Sequence, residues 1–298
     1  MAVLGKGGVG RSTVTAALGV AAARLGKRVC VAELGQDSAL PPKLGLGGRS
    51  FAFRRGSHGV DVWSVTVSEC LRDFARRKLG LPSFASSVVH NRFVDTFVDA
   101  VPGLNDLLVL GKIENLLNEP HPSDPQFDVL ILDAPATGHG LTLLQAARTM
   151  SEITRAGPFH DLADTIDRFL SDPTRTATVA VTLLEELPVQ ETLELCGALV
   201  AEGFPPAAVI ANAVEPPPIP SPPGAAAVLA ALEHLEGAAP LRELVVEANA
   251  RADRHASALQ ALQVGAAPLG VATVCSAPRA TDVAAIGAAL AAQLGGSR

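Results

Sequence analysis

Close to the start of the chain, Gly5-Lys6-Gly7-Gly8-Val9-Gly10-Arg11-Ser12-Thr13 brings together the groups that hold a polyphosphate. The run nearly fits G-x-x-x-x-G-K-[ST], the phosphate-binding loop, with Arg11 in the lysine position. Gly5, Gly7, Gly8, Val9 and Gly10 let successive backbone N–H groups turn inward onto phosphate oxygens, and the N-terminus of a following helix adds its positive dipole end. The Ser12 hydroxyl is placed to ligate Mg2+ and Thr13 to contact an α-phosphate. Arg11 is cationic but planar and bulkier than lysine, so it meets β- and γ-phosphates differently. Two readings of Arg11 stand side by side. One is a chain-wide drift toward Arg, since the only lysines are Lys6, Lys27, Lys43, Lys78 and Lys112; the other is weakened hydrolysis. A second chemical element is Asp133, which ends the apolar run Phe127–Leu132. It would hold the magnesium shell through a water, because Mg2+ keeps several waters.

These residues need elements to present them. Ala2–Leu4 reads as a short strand, Ser12–Leu25 as a helix with small residues on its packed side and Gly26 as C-cap, and Arg28–Glu33 as a buried strand. Strand, Gly-rich turn, helix and strand make a βαβ unit, which forces a parallel sheet. Further strands are expected at Val60–Val67, Phe127–Leu132, Ala177–Leu183, Ala207–Ala213 and Leu269–Val274. Helices are expected at Ser68–Gly80, Phe84–Ala100, Leu104–Glu119, Leu141–Ala156, His160–Ser171, Val189–Ala201, Ala225–Glu236, Leu241–Gln263 and Thr281–Leu294. Between Glu215 and Gly224 lies a stiff proline-rich loop. The expected fold is α/β, a P-loop NTPase with a mostly parallel sheet sandwiched by helices and a helical subdomain. Residues 1–298 read as one domain, with a helical insertion over about 68–120 and a further helical segment over about 141–171. The first strand has three residues before the loop where about five are usual, so the true start is expected to lie earlier.

Composition bounds the rest. The 298 residues are 48% hydrophobic with a formal net charge of -6, which excludes a disordered chain and argues against a general nucleic-acid binder. The uncharged stretch Pro216–Leu232 contains six prolines and cannot be a spanning helix. No secretory signal is read at the start. Cys30, Cys70, Cys196 and Cys275 are scattered without a C-x-x-C pair, so neither a disulfide framework nor a zinc knuckle is expected. A reduced, cytoplasmic protein with no direct membrane span follows.

Lys6, directly after the first glycine, makes the loop resemble the deviant Walker A class of the MinD/ParA proteins, the nitrogenase iron protein and the arsenite-pump (ArsA) family. The segment Asp133-Ala134-Pro135-Ala136-Thr137-Gly138-His139 resembles the switch II motif DTAPTGH of the arsenite-pump and tail-anchored-protein-targeting ATPases. Thr176–Leu195 also resembles that family's post-switch strand and helix. The resemblance implies ATP and Mg2+ as ligands and ATP hydrolysis as the activity. It implies that Lys6 reaches across a dimer to the partner's nucleotide, as an arginine finger does. It makes Thr137, Gly138 and His139 the γ-phosphate sensor, Asn212 the adenine-binding candidate, and Pro278 with Arg279 weaker candidates for closing over the base. The family's switch I Asp, which orients the attacking water, falls on Gly35 here, leaving Glu33 and Asp37 as neighbouring candidates. The partners implied are a second copy or a paralogous ATPase, and a membrane-protein client or pump subunit. The zinc clamp and metalloid cysteines of the family are absent. A nucleotide-binding regulatory subunit with little hydrolysis is the alternative. The apolar stripes of the helices over Ser68–Glu119 and Leu141–Ser171 are expected to pack on the sheet more readily than to form a client groove.

Overall fold

The computed structural model describes residues 1–34, 39–78, 100–118, 125–135, 139–215, 222–271, 273–280 and 282–295. Its strands are β1 (Ala2–Gly5), β2 (Val29–Leu34), β3 (Arg54–Arg55), β4 (Val60–Val65), β5 (Val129–Asp133), β6 (Thr178–Leu183), β7 (Pro206–Val214) and β8 (Val274–Pro278). They form one sheet in the order β3-β4-β2-β5-β1-β6-β7-β8. Every pairing is parallel except β3 with β4 at the edge. Strand β1 therefore lies in the middle of the sheet, between β5 and β6.

The helices are α1 (Arg11–Arg24), α2 (Leu40–Lys43), α3 (Val67–Lys78), α4 (Leu104–Asn118), α5 (His139–Ile153), α6 (Pro158–Ser171), α7 (Glu186–Ala201), α8 (Pro222–Glu233), α9 (Ala239–Ala266) and α10 (Val283–Gly295). Alternate strand residues face opposite sides of a sheet, and here both sides are covered. Val29, Val31, Ile131, Val179 and Val181 pack with α1 and α10. Cys30, Ala32, Leu130 and Leu132 pack on the other side with Phe74, Leu107, Leu143 and Ile166 of α3, α4, α5 and α6. Ala180, Val209 and Ala211 meet α7 and α9. Double coverage explains why the strands read as unbroken apolar runs.

The Ala-rich helices have a packing purpose. A Cβ on Gly19 of α1 would come within 2.7 Å of Val31 Cγ1, and one on Gly287 of α10 within 2.6 Å of the Ala17 carbonyl. Small residues thus let α1 lie close to the sheet and α10 close to α1. The expected cap is present. Gly26 has φ 77°, its N–H reaches Ala23 O and the N–H of Lys27 reaches Ala22 O, which is a Schellman ending.

One expectation is corrected and one short helix is added. The last strand was expected at Leu269–Val274 but forms at Val274–Pro278. The run from Leu269 to Ala277 is apolar almost throughout, so its composition does not set the strand's limits. Left-handed Gly270 ends the preceding helical turn, and Cys275 and Ala277 are the residues that alternate into the core. Ser276–Pro278 therefore belong to the strand, and the segment after it begins at Arg279. Helix α2 lies where no element was expected; Pro41 and Pro42 occupy its first turn, where no N–H is needed. The helix expected over Phe84–Ala100 lies almost wholly outside the described residues.

Helices α3 and α4 also share a buried ion pair, Lys112 Nζ with Asp73 Oδ2 at 3.1 Å, and Arg77 approaches the same oxygen at 2.9 Å. Burial raises the Asp73 pKa and these cations lower it further than that, so it sits below its ordinary value.

Two glycine substitutions separate packing from helix propensity. Gly197→Ala on α7 has only Leu269 Cδ2 nearby, at 3.9 Å, and is expected to stabilise by up to about 1 kcal/mol. Gly287→Ala gains the same propensity but overpacks against α1, at about 1–3 kcal/mol, and is expected to destabilise. Urea unfolding of the two variants checks the opposite signs.

Candidate functional site

The phosphate loop joins β1 to α1, and its shape is set by glycines used for different reasons. Gly5 has φ 155°, and a Cβ there would meet the Val181 carbonyl of β6 at 2.6 Å. Gly10 has φ 86°, and its Cβ would lie 2.1 Å from Asn212 Nδ2. Around Gly7 and Gly8 nothing lies within 4 Å of a built Cβ, so this is the open side from which a phosphate can approach. Gly10 caps α1 without a side chain. It accepts the N–H groups of Thr13 and Val14 at 3.0 Å each. The first N–H groups of a helix have no partner within it, and a polyphosphate suits them.

Parallel pairing of β1 with β5 puts Val3 opposite Asp133. The two strand ends then lie side by side, and α1 starts above Asp133. The Ser12 hydroxyl donates to Asp133 Oδ2 at 2.5 Å. Asp133 Oδ1 is buried and has no hydrogen-bond partner. Burial pushes the Asp133 carboxyl above its ordinary value, against the Ser12 hydrogen bond and the charges of Arg11 and Lys43, while Glu33 adds to the rise. A buried oxygen with a spare lone pair, on a carboxylate that burial penalises, beside a serine hydroxyl fits a hard divalent cation such as Mg2+.

Arg11 does not reach outward. Its guanidinium donates to the carbonyl of Ala134, the first residue after Asp133. Burial lowers its pKa from the usual value, with Asp133 acting the other way. Lys6 is turned to α7, with Nζ 3.2 Å from Glu191 Oε1.

On the other side of the loop, Asn212 at the end of β7 is buried. Its amide donates to the Val9 carbonyl at 2.9 Å, which leaves one N–H and the oxygen for another partner. The neighbouring Ala213 takes φ 56°, and Val214 is registered with Pro278 of β8. Asn212, Pro278 and the phosphate loop therefore lie together at the carboxyl ends of the strands. Arg279 is tied to Glu215 at 2.6 Å, and Glu215 also meets Arg251 at 3.3 Å.

Glu33, one of the two candidate carboxylates, is held by neighbouring elements. It is buried on β2, registered with Asp133. Its Oε1 accepts the Ser64 hydroxyl at 2.7 Å, and its Oε2 accepts the Leu40 N–H at 3.3 Å. Its two oxygens thus tie β2 to Ser64 of β4 and to the N–H of Leu40 at the start of α2. Gly35, Asp37, Thr137 and Gly138 lie outside the described residues, and His139 is described only as the first residue of α5. Sequence reasoning missed Glu191, Lys43 and Ser64. Each is an ordinary polar residue in its own window and meets the site only through the fold.

The four cysteines are free and buried, and burial pushes Cys70 up to about 12 and Cys196 to about 11. Among the described residues no helix is long and apolar enough to cross a membrane.

Gly10→Ala combines a left-handed φ, costing about 1–2 kcal/mol, with a clash against Asn212. Nucleotide affinity is expected to fall by about tenfold or more, and removing the clash with a second Asn212→Ala change is not expected to restore it. Titration of a fluorescent ATP analogue measures both variants.

Residues 1–262 match the CobQ/CobB/MinD/ParA nucleotide binding domain. The chain is 30% identical over 229 residues to the ATPase BagA of Mycobacterium tuberculosis, covering 70% of this chain and 63% of that protein. It is 25% identical over 162 residues to the ATPase asna-1 of Caenorhabditis elegans, covering 50% and 45%. A Paramecium tetraurelia protein, the ATPase ASNA1 homolog 2, is 24% identical over 151 residues, covering 50% and 44%. The chain thus spans less than two thirds of the length of these relatives. With its phosphate loop between β1 and α1 and an aspartate on the neighbouring strand, the chain belongs to the CobQ/CobB/MinD/ParA family of nucleotide-binding domains.

Proposed function

We propose that this chain is a cytoplasmic, Mg2+-dependent ATPase of the arsenite-pump and tail-anchored-protein-targeting type, which works as a dimer and passes its nucleotide state to a partner or client. The observation that carries this is the Ser12–Asp133 pair at 2.5 Å, with the second Asp133 oxygen buried and unpartnered. The relatives named as ATPases support it, as does the DAPATGH segment.

In this reading the backbone of Gly7, Gly8, Val9 and Gly10 cradles the phosphates and Thr13 contacts the α-phosphate. Ser12 and Asp133 hold Mg2+, whose charge offsets that of the transferring phosphoryl group. Arg11 touches the phosphates while tied to the backbone of Ala134. Lys6 acts across the dimer on the partner's nucleotide. Asp37 or Glu33 supplies the carboxylate that orients the water for in-line attack. Thr137, Gly138 and His139 sense the γ-phosphate, and Asn212 and Pro278 meet the base. A second copy or a paralogous ATPase completes the dimer, and a membrane-protein client or pump subunit receives the signal.

Two observations favour a second reading, a nucleotide-binding regulatory subunit with little turnover. Arg11 already has a protein carbonyl as partner, and Gly35 stands where the family has a water-orienting carboxylate. Phosphate release from the purified chain with Mg2+ and ATP distinguishes the two. The ATPase reading expects measurable turnover that falls about 10²-fold or more in Lys6→Ala, the loss of one charge-stabilising group. Tight ATP binding with no turnover above background would sink it and leave the regulatory subunit.

A further inference from the structure

The Lys6 stem leaves the phosphate loop beside a narrow crevice that also touches Pro135, Gly140 and Leu195. Pro135 follows the Asp133-Ala134 end of β5, and Gly140 lies in the first turn of α5. Both Glu191, which pairs with the Lys6 ammonium, and Leu195, which lines the crevice, lie on α7. They are four apart and so share one helix face. The body of α7 is fixed by other residues, Val189, Thr192, Cys196 and Leu199, all buried. The ion pair is therefore not what docks the helix. The side chains are 40% and 29% exposed, so the pair is open to water and readily exchanged.

We propose that Glu191 is a positioning residue that seats Lys6 within its own chain and competes for that lysine with a second, nucleotide-loaded copy. The proposal rests on the reading of Lys6 as the cation that acts across a dimer. A lysine ammonium is a single point charge on a flexible stem. With Nζ 3.2 Å from Glu191 Oε1, its charge is shared with that carboxylate, so a phosphate held by another chain competes for it. Closure of two copies therefore weakens or breaks this pair in each. The seat raises the concentration at which the dimer closes and holds the lysine beside the start of α5 until then. An exposed pair of this kind shifts an equilibrium by about two- to fivefold.

The test is the dimer dissociation constant of the full chain in Mg2+ and ATPγS, measured by sedimentation velocity at low and high salt. For Glu191→Gln, which keeps the side-chain shape, a dimer about two- to fivefold tighter than wild type at low salt is expected, with the gap closing at high salt. Glu191→Asp should return the constant toward wild type. In a Lys6→Gln background the Glu191→Gln change should have no effect. A wild-type dimer that Lys6→Gln weakens but Glu191→Gln leaves unchanged or weakens would overturn the seat while sparing the dimeric reading. The absence of ATPγS-dependent dimers in every variant would remove that reading and the seat with it. Equal tightening by Glu191→Gln with and without Lys6 would also overturn it, since the effect would then not pass through the lysine.

Discussion

The hydrogen bond from Ser12 to Asp133 joins the first helix to the strand beside it, and most of the site's geometry follows from the conditions that make it possible. β1 and β5 have to be parallel neighbours, in a register that ends both at the same level. α1 has to start directly above Asp133, which the left-handed Gly10 achieves. Gly5 has to pass close to β6, where a Cβ would strike the Val181 carbonyl. Placing β1 at the centre of the sheet satisfies all three conditions, because it gives the loop a strand on either side. Ligands of open parallel sheets gather at the carboxyl ends of such strands.

Burial gives this interaction its chemical meaning. An aspartate in contact with water keeps its charge at little cost, but Asp133 is taken out of water and its carboxyl is pushed upward. Among the described residues Lys6, Arg11 and Lys43 lie around the site, and each already has a local connection. Lys6 is held by Glu191, Arg11 donates to Ala134, and Lys43 acts on Asp133 through space. The positive charge thus rests on protein groups with which a polyphosphate must compete. Rearrangement of those contacts is a physical route by which nucleotide binding can be felt at the start of α5 and along α7.

Much of the fold was legible in the sequence because its signals are local. Doubly covered strands show as apolar runs, the Schellman glycine marks the end of α1, and the glycine pattern with Ser12 identifies the phosphate loop. Asp133 was legible as the polar end of such a run. Less legible were features set by distance across the sheet. Asn212 was expected from family likeness to meet a base, and the structure shows that it braces Val9, a contact no sequence window contains. Glu33 looked like any carboxylate near a loop until Ser64 and Leu40 were placed against it. The limits of β8 were missed because a continuous apolar run carries no boundary of its own. Glu191 was unremarkable in sequence and gains meaning only from the approach of α7 to the loop.

The central claim is that Ser12 and Asp133 hold the cation that accompanies the nucleotide. Calorimetric titration of ATP into wild type and Asp133→Asn, each with Mg2+ and with EDTA, tests it directly without requiring turnover. The account predicts that Mg2+ tightens ATP binding to wild type by about tenfold or more, and that this gain disappears in Asp133→Asn. An equal Mg2+-dependent gain in the two proteins would contradict it.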